Sequence, residues 1–148
     1  MGKIADRSYD SSCHDYLQRL HRYVRISMEA VKQEKGKSLS PAEIITRESD
    51  RLAKRVARSD WSFALDKSGD MLNSHEFARR LQQLSVQGSR RVNFLIGGPY
   101  GLSDALLHRA QSILALSRMT FAHELAAVIL LEQIYRAFTI LKGEKYHK

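Results

Sequence analysis

The order of apolar periods along the chain predicts an α/β fold, a mainly parallel sheet with helices on both faces. Three observations lead there. Segments of helical spacing alternate with short strand-like segments almost throughout, and such alternation favours right-handed βαβ crossovers. The run Val92, Asn93, Phe94, Leu95, Ile96 is mostly apolar and stops abruptly at Gly97 and Gly98, as a strand buried on both faces does. The 148 residues are about one domain's length, enough to bury roughly two thirds of the surface that the unfolded chain exposes, so 1–148 reads as a single domain.

Tyr9, Cys13, Tyr16, Leu17 and Leu20 recur at three- and four-residue intervals and define one face of a first helix. Val24, Ile26 and Met28 alternate with polar neighbours, which predicts a strand. Residues 32–40 are lysine-rich and poor in apolar side chains, a surface loop. Ser40, Pro41 and Glu43 then announce a helix with a cap, a proline at its first position and a capping-box partner; Ile45, Leu52 and Val56 mark its buried side. Trp61, Phe63 and Leu65 predict a strand that ends near Gly69. Asn73 and Glu76 form a second capping-box pattern ahead of Phe77, Leu81 and Leu84, and Gly88 suits the left-handed position that closes such a helix. Residues 92–96 are the buried strand. Ser103 caps a helix through Leu106, Leu107 and Ala110, residues 113–116 make a last strand, and residues 122–141 a long final helix ending near Gly143.

With 24 Lys and Arg against 16 Asp and Glu the formal charge is +8, the footprint of a polyanion binder, so nucleic acid is the leading partner class. Cys13 is the only cysteine, which excludes an intramolecular disulfide and a multi-cysteine zinc site. The longest apolar stretch, residues 125–134, is interrupted by Glu132 and Gln133 and falls short of the roughly 20 residues that span a bilayer. The start of the chain has no secretory apolar region, and a cytoplasmic protein is expected. Residues 97–102 lack the lysine of a phosphate-binding Walker loop and the spacing of a dinucleotide fingerprint. His123-Glu124 has no second histidine at Ala127, against a zinc protease, and no G-x-S-x-G elbow supports a serine hydrolase.

Two features remain. One is the glycine turn directly after the buried strand; the other is the polar segment 117–120, followed by Phe121 and His123, after the last strand. Loops at the carboxyl ends of parallel strands are where α/β proteins bind ligands. From the residues alone, the glycines serve either a tight turn or a close ligand approach, His123 is either a hydrogen-bonded histidine or a chemical group, and Arg136 either pairs with Glu132 at i,i+4 spacing or contacts substrate.

Four ordered blocks carry a resemblance. They are Phe94-Leu95-Ile96-Gly97-Gly98-Pro99-Tyr100-Gly101-Leu102, Leu116-Ser117-Arg118-Met119-Thr120-Phe121-Ala122-His123, Leu131-Glu132-Gln133-Ile134-Tyr135-Arg136-Ala137-Phe138 and Tyr146-His147-Lys148. The C-terminal half resembles, almost from end to end, the RlmH family of large-subunit rRNA methyltransferases in the SPOUT superfamily. In the looser N-terminal half, Gly2-Lys3 is similar to the pair after the family's first strand, and Ala64-Leu65-Asp66 to the end of a later one. Against the family pattern the chain starts at Met1, where relatives have that first strand, which implies either a trimmed or misassigned start or a sheet with one strand fewer; it also carries Ala127 where the family commonly has an arginine.

The resemblance implies a deep C-terminal trefoil knot (the SPOUT α/β knot), a homodimer, and S-adenosylmethionine as methyl donor. It implies methylation at N3 of a pseudouridine in 23S rRNA on the assembled ribosome, without a metal. Position by position, it implies donor contacts from Leu65, Gly97, Leu116, Ser117, Arg118, Met119, Thr120 and Phe121. His123 and His147 would handle a proton or position the substrate, and Arg136 would hold the base or a phosphate. Arg79, Arg80, Arg90, Arg91, Lys142, Lys145 and Lys148 are the candidates for tracking RNA phosphates. The rival reading is a non-catalytic knotted protein that binds RNA or the ribosome.

Overall fold

The computed structural model describes residues 4–34 and 38–147. Gly2-Lys3, Lys148 and part of the lysine-rich loop lie outside the described residues. The elements, in chain order, are α1 (Arg7–Leu20), α2 (Pro41–Ala53), β1 (Trp61–Asp70), α3 (Ser74–Val86), β2 (Val92–Leu95), α4 (Asp104–Arg109), β3 (Ser112–Leu114) and α5 (His123–Leu141).

Local chemistry explains the helix starts. The Ser40 and Asn73 side chains each accept from the backbone N–H three residues on, and Glu43 and Glu76 reach back to complete both capping boxes. Asp6 caps α1 through Ser8 and Tyr9, and Ser103 caps α4 through Leu106; these bonds satisfy donors that the first helical turn leaves without partners. Helix α5 has no side-chain cap and is held by its neighbours instead. Gly88 (φ 77°) and Gly143 (φ 67°) end α3 and α5 in the left-handed region, where a side chain is strained.

The three strands are parallel in the order β2-β1-β3. Because successive side chains of a strand point to opposite faces, neighbours on β1 enter different cores. Phe63 faces α1, α3 and α5, among Cys13, Leu20, Phe77, Leu84 and Ile134; its ring stacks on Phe94 at 5.1 Å. Ala64 joins the second core with Leu52, Leu95, Leu102 and Leu106 beneath α2 and α4. Helices thus cover both faces, as the sequence predicts. Leu20 and Leu84 are fully buried, and truncating either to alanine costs about 2–5 kcal/mol.

Three expectations are corrected. Residues 24–28 form no strand among the described residues: Val24 and Met28 are 36% and 39% exposed and nothing pairs with them. An alternating pattern makes a strand only where a neighbour completes its hydrogen bonds. The last strand ends at Leu114, two residues before the predicted 116, and β2 ends at Leu95 rather than Ile96, since both chains leave the sheet to build loops. Ala127, which stands where the family commonly has an arginine, is 1% exposed and packs in the larger core.

Candidate functional site

Parallel pairing lines up the carboxyl ends of all three strands. Ala64 sits opposite Leu95, and Leu65 opposite Leu114, so the loops after β2 and β3 leave the sheet on either side of Leu65. Gly97 and Leu116 each lie two residues beyond their strand's last residue. The register therefore puts Leu65, Gly97 and Leu116, where the segment 116–121 begins, at the same end of the sheet.

The first loop is tight. Gly101 adopts φ 87° and its N–H donates to the Gly98 carbonyl at 3.0 Å. At Gly97 a β-carbon would lie 2.5 Å from the Gly101 carbonyl carbon, so the turn closes only without a side chain. Behind it, the Glu48 carboxylate abuts Gly98 and accepts from the Glu34 N–H at 2.9 Å. The second loop is open. Arg118, Met119 and Thr120 are exposed, Met119 to 74%, and the Met119 N–H donates to Ser117 Oγ at 3.0 Å. Among the described residues, the N–H groups of Leu116, Ser117, Arg118, Thr120 and Phe121 make no hydrogen bond. Unspent main-chain groups of this kind suit the polar edge of a purine.

Between these loops β1 bulges: Leu65 and Asp70 both pair with Leu114. Asp66 Oδ1 folds the intervening turn by accepting from the Ser68 N–H (2.9 Å) and hydroxyl (2.7 Å). Two cavities, of about 370 Å³ beside Arg58 and Arg109 and about 480 Å³ between α3 and β3, reach the strand ends at Leu95 and Leu114 but are lined by no residue of either loop.

Arg136 and His147 meet in a second cluster. Glu132 accepts from Arg136 Nε at 3.0 Å and Nη2 at 2.5 Å, from the Tyr146 hydroxyl at 3.2 Å and, through its other oxygen, from Gln133 Nε2 at 2.7 Å. The Arg136 guanidinium lies over the Tyr146 ring, 4.8 Å from its centre, and Nη1 approaches His147 Nδ1 at 3.4 Å. The Glu132 bonds raise Arg136 above the usual guanidinium range. Burial first, and then the neighbouring Tyr16 and Glu132, push the Tyr146 hydroxyl well above the ordinary phenol range. The terminal segment is fastened a second time where the Tyr23 hydroxyl donates to Glu144 Oε2 at 2.7 Å. Burial first and that bond second push Tyr23 up to about 12.

His123 is not part of this cluster. It opens α5, thirteen positions before Arg136, which at 1.5 Å per residue puts the two about 20 Å apart along the axis. Cys13, 1% exposed, has its thiol pushed up to about 11 by burial and then by Asp10, the signature of a packing residue. Among the described residues no three His, Cys, Asp or Glu side chains gather as they would around a metal ion, and no helix is long and apolar enough to cross a membrane.

Known proteins share this pattern over nearly the whole chain: the sequence profile described as "Predicted SPOUT methyltransferase" matches residues 1–147. The chain belongs to the SPOUT methyltransferase family. With membership in the SPOUT family comes its α/β knot fold. Similar to this SPOUT protein is the "Ribosomal RNA large subunit methyltransferase H" of Carboxydothermus hydrogenoformans, 41% identical over 152 residues that cover 100% of this chain and 96% of the relative. Proteins of the same name from Enterococcus faecalis (36% over 152 residues, 100% and 96%) and Thermotoga neapolitana (41% over 132 residues, 89% and 85%) are similar too.

Sequence reading missed His75, whose ring meets that of His147 edge-on at 4.7 Å, and Tyr23. No signal of spacing links them to the terminal segment, because α3 and the turn after α1 reach it only through tertiary packing. Glu132 was legible as the i,i+4 partner of Arg136, whereas its bond to Tyr146 was not.

Proposed function

We propose that this chain transfers a methyl group from S-adenosylmethionine to N3 of a pseudouridine in 23S rRNA on the assembled ribosome, in the cytoplasm. The observation that carries the reading is the pair of loops flanking Leu65, one closed by glycines and one with unspent main-chain donors. These residues fit the donor: Gly97 permits close main-chain approach, Leu65, Leu116 and Phe121 offer apolar contact, and the groups of Ser117, Arg118, Met119 and Thr120 can pair with adenine and the amino-acid part. The donor supplies a methyl on a cationic sulfonium and needs no metal to activate it.

The chain's own chemistry concerns the acceptor. N3 of an imide attacks well only as it loses its proton, so charge builds on the flanking carbonyl oxygens, and fixed cations and N–H groups there favour reaction. We assign Arg136 to hold the base or its phosphate, and His123 and His147 to the imide and its proton. Because His123 and Arg136 lie about 20 Å apart on one helix, one chain does not place both at one acceptor. A homodimer in which the Arg136–His147 cluster of one copy faces the donor loops of the other resolves the separation. Exposed Tyr100 and Met119, 54% and 74%, border those loops and suit cover by a second copy. Exposed Arg79, Arg90, Arg91, Lys142 and Lys145, with half-buried Arg80, supply charge for RNA phosphates, giving a steeply salt-dependent affinity.

The deciding experiment incubates the protein and S-adenosylmethionine with ribosomes lacking the modification and maps the methylated base. A methyl on N3 of one pseudouridine is expected. Tight donor binding with no transfer would instead support a non-catalytic RNA-binding protein.

A further inference from the structure

The contact between Arg136 and His147 determines which proton the histidine carries. A guanidinium has five N–H groups and no acceptor, so a ring nitrogen that pairs with it can only accept. Arg136 Nη1 faces His147 Nδ1 at 3.4 Å. For that contact to be a hydrogen bond, Nδ1 presents its lone pair, which leaves the proton of a neutral ring on Nε2. A ring with protons on both nitrogens would set two donors and two positive charges against each other across the same gap.

The ring is held from two further directions. His75, from the first turn of α3, meets it edge-on with the planes at 89°. Tyr146, the preceding residue, is anchored by Glu132 and packed against Tyr135 at 4.8 Å. Arg136 is itself fixed by two bonds to Glu132. Among the described residues Nε2 of His147 has no hydrogen-bond partner. The assembly fixes one N–H donor and leaves it unspent.

We propose that His147 acts as a neutral hydrogen-bond donor, giving its Nε2–H to a carbonyl oxygen of the target imide, and that it is not the base that removes the N3 proton. Arg136 sets the tautomer and His75 is a positioning residue for the ring. This rests on the placement of His147 at the acceptor, argued above. The N3 proton passes to His123, the other histidine assigned to the imide, and N3 bonds to the methyl carbon as the methyl–sulfur bond breaks and its electron pair returns to sulfur; as that proton leaves, negative charge spreads to the flanking carbonyl oxygens, and a donor already aimed at one of them strengthens in step. Removing one such preorganised donor lowers kcat by about 10²–10³-fold.

The test compares His147→Ala, His147→Gln and His147→Asn in single-turnover methylation of undermethylated ribosomes, with S-adenosylmethionine affinity measured by calorimetry. Glutamine places an amide N–H near the position of Nε2, asparagine near that of Nδ1, and neither can act as a base. We expect H147A and H147N to lose about a hundredfold in rate, H147Q to recover to within about tenfold of the parent rate, and donor affinity to stay constant throughout. Equal losses in all three would overturn the donor role while leaving His147 at the acceptor; full activity in H147A would remove His147 from the site altogether. Two-bond ¹⁵N–¹H spectra of the histidine-labelled parent protein decide independently, even should a variant not fold: protonation at Nε2 alone at neutral pH is expected, and protonation at Nδ1 or at both nitrogens overturns the proposal. Replacing His75 by alanine should lower the rate without changing ribosome KM, and replacing it by phenylalanine, which keeps an edge-on ring, should restore it; a rate that H75A leaves unchanged removes the positioning role.

Discussion

Gly97→Ala places one methyl group where the structure has no room for it. The new carbon would stand 2.5 Å from the Gly101 carbonyl carbon, 2.6 Å from its oxygen and 2.8 Å from its α-carbon, whereas ordinary contact begins at 3.4 Å. Opening the closest of these by 3.4 − 2.5 = 0.9 Å has to move main chain, since every obstructing atom belongs to the backbone. Overpacking of this kind costs about 1–3 kcal/mol, and a displacement near 1 Å in a positioning loop lowers activity by about a hundredfold. Melting temperature, donor affinity by calorimetry and methyl transfer should therefore fall together. Gly88→Ala is the control: it meets nothing within 4 Å at φ +77°, so it carries backbone strain of about 1–2 kcal/mol but should leave donor affinity unchanged. If G97A melted and bound donor like the parent protein, the glycine turn would not be part of the donor site.

Removing the Glu132 charge with Glu132→Gln breaks a pair whose side chains are only 26% and 18% exposed. The loss should fall between that of surface and fully buried pairs, about 1–3 kcal/mol by urea unfolding, with methyl transfer reduced and donor affinity kept; unchanged transfer would show that Arg136 needs no such anchor. Asn73→Ala deletes the α3 cap at Glu76 N (2.9 Å) and should cost about 1 kcal/mol without touching donor affinity. Alkali should destabilise the fold. Cys13 and Tyr23 both have folded-state pKa values above their unfolded ones, from 9.0 to about 11 and from 10.0 to about 12, so their stabilisation is complete below pH 9 and is lost as pH rises toward 12. The urea midpoint should hold steady to pH 9 and then decline, less steeply above pH 10 in Tyr23→Phe; a flat profile through pH 12 would contradict the burial of both groups.

Much of the site could be read from residue order because strand ends and glycines leave local marks. The abrupt stop at Gly97-Gly98, the polar segment after Leu116 and the i,i+4 pair Glu132–Arg136 need only the chain within a few residues of themselves. The strand expected at residues 24–28 failed for the opposite reason, since an alternating pattern reports a preference while a strand needs a partner. His75 stayed invisible because 72 positions separate it from His147, and only the packing of α3 on α5 closes that distance.

Helix starts, the parallel α/β layering and the charge that suits RNA were decided by the amino-acid order, because capping bonds, periodicity and net charge act over short range or by simple sum. The meeting of Leu65 with the loops after β2 and β3 was decided by strand register. The contact of His147 with Arg136 was decided by the return of residues 144–147 onto α5, where Tyr23 and Glu132 hold them. Such contacts join groups far apart along the chain, and their geometry exists only after the cores beneath them have packed.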